Sequence, residues 1–108
     1  MSGGGSGDAN ALRGEVGLTL GARECVLRPS FSALVAAEDE LGPLLALVDR
    51  AAEGRIGLGE IAGLFWHCLT ERDGWEREHL CEAVVAAGLA RVMPAVRGVL
   101  HQILAGST

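Results

Sequence analysis

IGLGEIAGLFWHCL, residues 56–69, reads as the helix around which the rest of the chain packs. Leu58, Ile61, Leu64, Phe65, Cys68 and Leu69 fall on one stripe, at spacings that suit a period of 3.6 residues. Glu60, Gly63, His67 and Thr70 take the opposite face. A stripe this wide predicts neighbours on more than one side, and so a central position.

Around it, the chain of 108 residues is 49% hydrophobic, which is enough apolar material for the core of one domain. Only two Phe and two Trp are present, so small aliphatic contacts dominate that core. All nine basic residues are Arg, and they are scattered singly in a chain of net charge −5. Nucleic-acid binders concentrate positive charge on one face, and this chain does not, so no nucleic-acid partner is expected. No apolar run reaches the length of a membrane span, and no membrane partner is expected either. Three cysteines, an odd count with no CxxC, point to free thiols and a reduced, cytoplasmic setting. Residues 1–9, opening MSGGGSG, read as a flexible leader outside the fold, and residues 10–108 as one domain.

Upstream of the central helix the period changes to two. Val16, Leu18 and Leu20 alternate with Glu15, Gly17 and Thr19, the pattern of a half-buried strand. Gly21-Ala22-Arg23 is a short turn, and Glu24–Arg28 returns as a second strand with Cys25 and Leu27 on one face. A hairpin alone is marginal in water, so its apolar face must lie on helices. Pro29 stops the strand and Ser30 caps the first helix, about Phe31–Leu41. That helix places Phe31, Leu34, Val35 and Leu41 on its stripe, interrupted by Glu38. The run Glu38-Asp39-Glu40 reads as a solvated acidic face, with the steering of a basic partner as its sharper reading. Gly42-Pro43 separates it from a second helix, about Pro43–Glu53, which buries Leu44, Leu47, Val48 and Ala51.

Downstream, Glu71–Gly74 is a polar turn. A fourth helix follows over about Trp75–Ala87, with Leu80, Val84 and Ala87 inward and Cys81 and Val85 beside them. Leu89–Met93 is a short helical turn. Pro94 opens a last helix, about Met93–Ala105, which buries Val96, Val99, Leu100 and Ile103. The fold class is therefore α+β, mainly α: an N-terminal β-hairpin followed by about five short helices.

The chain offers no catalytic constellation. His67-Cys68 and His79-x-Cys81 are the only close His/Cys pairs, and neighbours at i+1 and i+2 on a helix point apart, so neither converges on a metal. Cys68 lies on the apolar stripe, where a thiol is inert, and His67 lies on the other face. No phosphate-binding loop, nucleophile elbow or dinucleotide fingerprint is present, so neither an enzyme nor a cofactor is expected. Interaction remains. Trp66 at the edge of the central stripe and Trp75 at the polar turn are core-boundary residues or interface anchors. The candidate partner-binding set is Glu60, Trp66, His67 and Trp75.

Asn10–Val16 leading into a hairpin, then Leu27-Arg28-Pro29-Ser30-Phe31, then a helix with Ala33-Leu34, Glu38 and Leu41-Gly42, and Gly57-Leu58 before an apolar helix form a longer pattern. It resembles the small tail-assembly proteins of gene transfer agents and siphophage-like prophages, some labelled tail tube proteins, over about Asn10 to Gly88. The resemblance implies a tail assembly chaperone. Such a protein binds the tape measure protein, a long, largely helical chain, and keeps it soluble until tube subunits polymerise around it. The tail tube protein is a further partner and homo-oligomerisation a further possibility. A structural tail tube subunit, or a helical adaptor unrelated to phage, are the rival readings.

Overall fold

The computed structural model describes residues 14–106. Residues 1–9, the expected leader, lie outside the described residues. Two strands, β1 (Val16–Leu20) and β2 (Arg23–Leu27), form an antiparallel hairpin in which Leu18 faces Cys25 and Leu20 faces Arg23. The connection is the two residues Gly21-Ala22, with φ +62 at Gly21 and no positive φ at any non-glycine residue. Positive φ at the first central position alone is the type II′ pattern, whose twist matches that of the paired strands. The alternation puts Leu18, Leu20, Cys25 and Leu27 in the core.

Five helices follow: α1 (Phe31–Leu41), α2 (Leu44–Ala52), α3 (Leu58–Cys68), α4 (Arg77–Ala87) and α5 (Leu89–Ala105). The α+β architecture, a hairpin and then five helices, is as the sequence patterns predict. Helix α3 is central: α1 and α4 pack against it, while α5 lies on β1 and α4. Ile61, Leu64, Phe65 and Cys68 are buried on α3, as expected, and so are Ala62 and Gly63.

Several boundaries and faces differ from those expectations. Leu58 is 46% exposed, because it opens α3 one turn before the packed part begins. Gly63 leaves the polar face for the core, since α1 crosses there. Leu69 is buried but no longer helical; it bridges to Leu27 beyond the end of α3. On α1 the buried residues are Ala33 and Ala37, with Leu34 and Leu41 half-buried, whereas Phe31 is 85% exposed and Val35 is exposed. The stripe is turned because α1 lies close to α3, and alanines permit an approach that bulky side chains would block. Pro43 is the N-cap of α2 and not its first residue. Helix α4 starts at Arg77, leaving Trp75 in the preceding turn, and Val85 is exposed.

The largest difference is at the C-terminus. Leu89–Ala105 is one helix of 17 residues with Pro94 inside it. Proline removes one helical hydrogen bond and crowds the preceding turn. Burial of Val92 and Ala95 on either side of it, with Val96 next, holds the helix together across that position. Gly88, at φ +90, sets the break between α4 and α5, where the chain bends by 117°. No single helix among the described residues is long and apolar enough to cross a membrane.

Candidate functional site

The acidic run at the end of α1 meets the polar side of α3. Glu40 Oε1 is 2.8 Å from His67 Nε2 and accepts from Arg77 Nη1 at 2.7 Å, while Arg77 Nη2 reaches the other carboxylate oxygen. The planar guanidinium grips both oxygens, and α1, α3 and α4 are tied by one carboxylate. Arg77, with His67 second, holds the Glu40 carboxyl down to about 2. Glu38 is also occupied: its Oε2 accepts from the Leu44 N–H at 3.1 Å, which satisfies a free donor at the start of α2. The run is thus a set of helix ties more than a free acidic face.

This predicts a pH-dependent contribution. A carboxyl held below its ordinary value of 4.5 stabilises the fold above that pH and loses its effect as pH falls towards 2. The Glu40 side chain is 36% exposed, so solvent screening reduces the effect to ~1 kcal/mol. Glu40→Gln is expected to lower the urea midpoint at pH 7. The gap to the parent should narrow steadily below pH 4.5 and nearly close at pH ~2. A gap that stays constant with pH would mean the pair is not formed in solution.

Glu60 caps the other end of α3. Its Oε1 accepts from the Gly57 N–H at 2.9 Å, the reciprocal half of a capping box, since Gly57 has no side chain to complete the other half. The same carboxylate takes Arg50 of α2 in a two-point grip at 2.8 and 2.5 Å. Arg50 first and the Gly57 N–H second lower the Glu60 pKa.

The two tryptophans each lie under an arginine. The Arg72 guanidinium is 5.1 Å from the Trp66 ring centroid. It also donates to the Trp66 and His67 carbonyls, at 3.2 and 3.3 Å, and so satisfies free acceptors at the end of α3. Arg23 lies 4.3 Å over Trp75 and donates to the Gly74 carbonyl at 3.2 Å. Both contacts are cation–π stacks on half-buried rings. The structure places Trp66 and His67 at the end of α3 with separate partners, Arg72 for Trp66 and Glu40 for His67. Trp75 lies across the following loop, and Glu60 lies at the opposite end of the helix. Sequence reasoning missed Glu40 and Arg77, whose partners are distant in the chain, and Arg72, which turns back across the end of α3; only Gly57 followed three residues later by Glu60 carries a local signature.

Beyond α3 the chain adds to the hairpin. Thr70 donates to the Val26 carbonyl from both its N–H (3.0 Å) and its hydroxyl (3.1 Å), and Arg28 N donates to the Cys68 carbonyl at 2.7 Å. This covers part of the outer edge of β2. Cys25 and Cys68 are buried free thiols, and burial pushes Cys68 up to about 12, far from a reactive thiolate. Among the described residues no three His, Cys, Asp or Glu side chains gather as metal ligands would.

The fold and its polar contacts define a small, mainly helical α+β module, with Glu38, Glu40 and Glu60 engaged in joining helices. The chain belongs to the family described as phage tail tube protein, GTA-gp10, whose model matches residues 13–106. It is therefore a phage-tail or gene-transfer-agent protein, and that family description is structural and not enzymatic. No curated protein and no solved structure matches the chain.

Proposed function

We propose that this protein serves tail assembly as a chaperone, binding the tape measure protein and keeping that long helical chain soluble while the tube forms. The observation that carries the reading is the secondary structure: two strands of five residues each, against five helices. A tube wall made of rings joined through sheets calls for far more strand than one hairpin. Helical surfaces with apolar side chains on show, Phe31 above all and Leu45 and Leu104 with it, suit an amphipathic helical partner. Trp66, His67 and Trp75, with Glu60 at the far end of α3, are the proposed partner-facing set; cytoplasmic action and homo-oligomerisation belong to the same proposal.

The second reading, a structural subunit of the tail tube, is favoured by the family description itself. Co-expression with the tape-measure-like protein encoded in the same genome separates the two. A chaperone yields a soluble, stoichiometric complex by size-exclusion chromatography, with the long partner insoluble when made alone. A tube subunit yields rings or tubes by negative-stain electron microscopy and no such complex. Trp66→Ala is expected to weaken the complex while leaving the thermal midpoint within a few degrees. A sharp fall in that midpoint with binding intact would assign Trp66 to packing alone.

A further inference from the structure

A two-residue hairpin turn makes its flanking residues, Leu20 and Arg23, a hydrogen-bonded pair, and pairing type alternates from there. Leu18 with Cys25 and Val16 with Leu27 are then bonded pairs as well. Gly17 and Thr19 on β1, and Val26 and Glu24 opposite them, turn their N–H and C=O groups away from the hairpin. The other edge provides a check: the Val26 carbonyl accepts from Thr70, on the side away from β1. On β2 that outward edge is partly covered. On β1 no described residue pairs with it.

The open edge of β1 borders a groove of about 760 Å³, within the ~300–1,000 Å³ range of ligand-sized clefts. One wall is Gly17–Gly21. The other is the elbow of α4 and α5, where Ala83, Ala87, Ala90 and Ala95 present nothing beyond a methyl group. Pro94 stands in the same wall and has no N–H to give the Ala90 carbonyl. The only charged residue lining the groove is Arg91, and no other described side chain pairs with its guanidinium.

We infer that this groove binds an extended segment of a partner protein, which adds as a strand to β1 and places a carboxylate on Arg91. Two N–H and two C=O groups at Gly17 and Thr19 supply the main-chain bonds. The alanine wall leaves room for small alternating side chains. The unpaired guanidinium selects a negative group. The inference concerns a different surface from the tryptophan set and does not depend on which tail protein is the partner.

The test uses the whole protein and an array of acetylated hexapeptides of alternating Val and Thr, each made with either Glu or Gln at every second position. Expected are bound members whose Glu form is favoured about threefold to tenfold over the Gln form. Arg91→Gln should erase that preference without moving the thermal midpoint. Thr19→Pro should abolish binding, since proline is tolerated on an edge strand where its missing N–H faces outward. By hydrogen exchange, the Gly17 and Thr19 amides should become protected only when peptide is present. An array with no bound member, a Glu preference that survives Arg91→Gln, or unaltered exchange at those two amides would each overturn the inference. Protection that instead rises with protein concentration in the absence of peptide would overturn it in favour of self-pairing. Tape measure co-expression reads total binding by any surface, so the two proposals fail separately.

Discussion

Phe65→Ala is expected to cost ~3–5 kcal/mol, a large share of the ~5–15 kcal/mol by which a domain of ordinary stability is folded. The chain has four aromatic residues. Phe31 is 85% exposed, and Trp66 and Trp75 are half-buried at the surface. Phe65, at 0% exposure, is therefore the one aromatic ring wholly inside. It lies on the helix that contacts both α1 and α4, in a core otherwise made of Leu, Val, Ile, Ala and Cys. Short aliphatic neighbours cannot extend to fill the space a benzyl group leaves, so the cavity term adds to the lost transfer energy. Urea unfolding followed by far-UV circular dichroism reads the loss directly. Phe31→Ala is the control: the same change of residue on an exposed ring should stay within ~0.5 kcal/mol. Equal effects at the two positions would mean that α3 is not the centre of the fold.

That contrast shows what the sequence can and cannot convey. Phe31 and Phe65 each fall on the apolar stripe of a helical pattern, and composition does not distinguish them. The hairpin is legible because its cause is local: alternation in Val16–Leu20 and Cys25–Leu27, with Gly21 at the one position that needs positive φ. Helix α2 is legible for the same reason, with Leu44 and Leu47 buried as spaced. The inward face of α1 is not, because it depends on how near α3 comes. Ranking residues by hydrophobicity favours Phe31 and Val35, while close helix packing favours Ala33 and Ala37. Pro94 misleads in a related way. A proline inside a pattern marks a helix start by local rules, yet burial on both sides carries α5 through it.

The polar contacts were the least legible part of the candidate site. Glu40 and Arg77 are 37 residues apart and Glu40 and His67 are 27 apart, so no window of sequence contains either pair. Glu38-Asp39-Glu40 reads as a solvated run because nothing nearby says that α3 and α4 will bring a histidine and an arginine to it. Trp66 and Trp75 stand out by residue type, but their arginine partners do not. Arg72 follows Trp66 by six residues across the end of a helix, and Arg23 lies in the hairpin, far from Trp75 in sequence though stacked on its ring. Arg23 and Arg72 thus serve ring stacking and backbone carbonyls, and Arg50 and Arg77 tie helices through carboxylates.

Gly63 provides the second large effect, and it tests the α1–α3 seam itself. A Cβ built at this position would lie 3.0 Å from Arg77 Nη2, and 3.2 Å from both Glu40 Oε2 and Leu41 Cδ2. Two of those atoms belong to the ion pair that ties α1 to α4, and the third is the half-buried Leu41. Gly63→Ala therefore sets two effects against each other. Alanine gains ~1 kcal/mol over glycine in a helix interior. Overlap in a packed seam costs ~1–3 kcal/mol, reduced here because the arginine tip can retreat. The expected result is a change of less than ~1 kcal/mol together with a weakened Glu40–Arg77 pair, read as a smaller stability difference between Glu40→Gln and its parent in the Gly63→Ala background. Gly63→Leu has no such compensation. Three further carbons must enter a space already closed by Leu41, and α1 must separate from α3 to admit them. A loss of ~2–4 kcal/mol in the urea midpoint analysis is expected, with the Glu40→Gln difference gone altogether. If Gly63→Leu unfolded at the parent's midpoint, α1 would not lie across α3 at this glycine. The turned face of α1, with Ala33 and Ala37 inward, would then lose its physical cause.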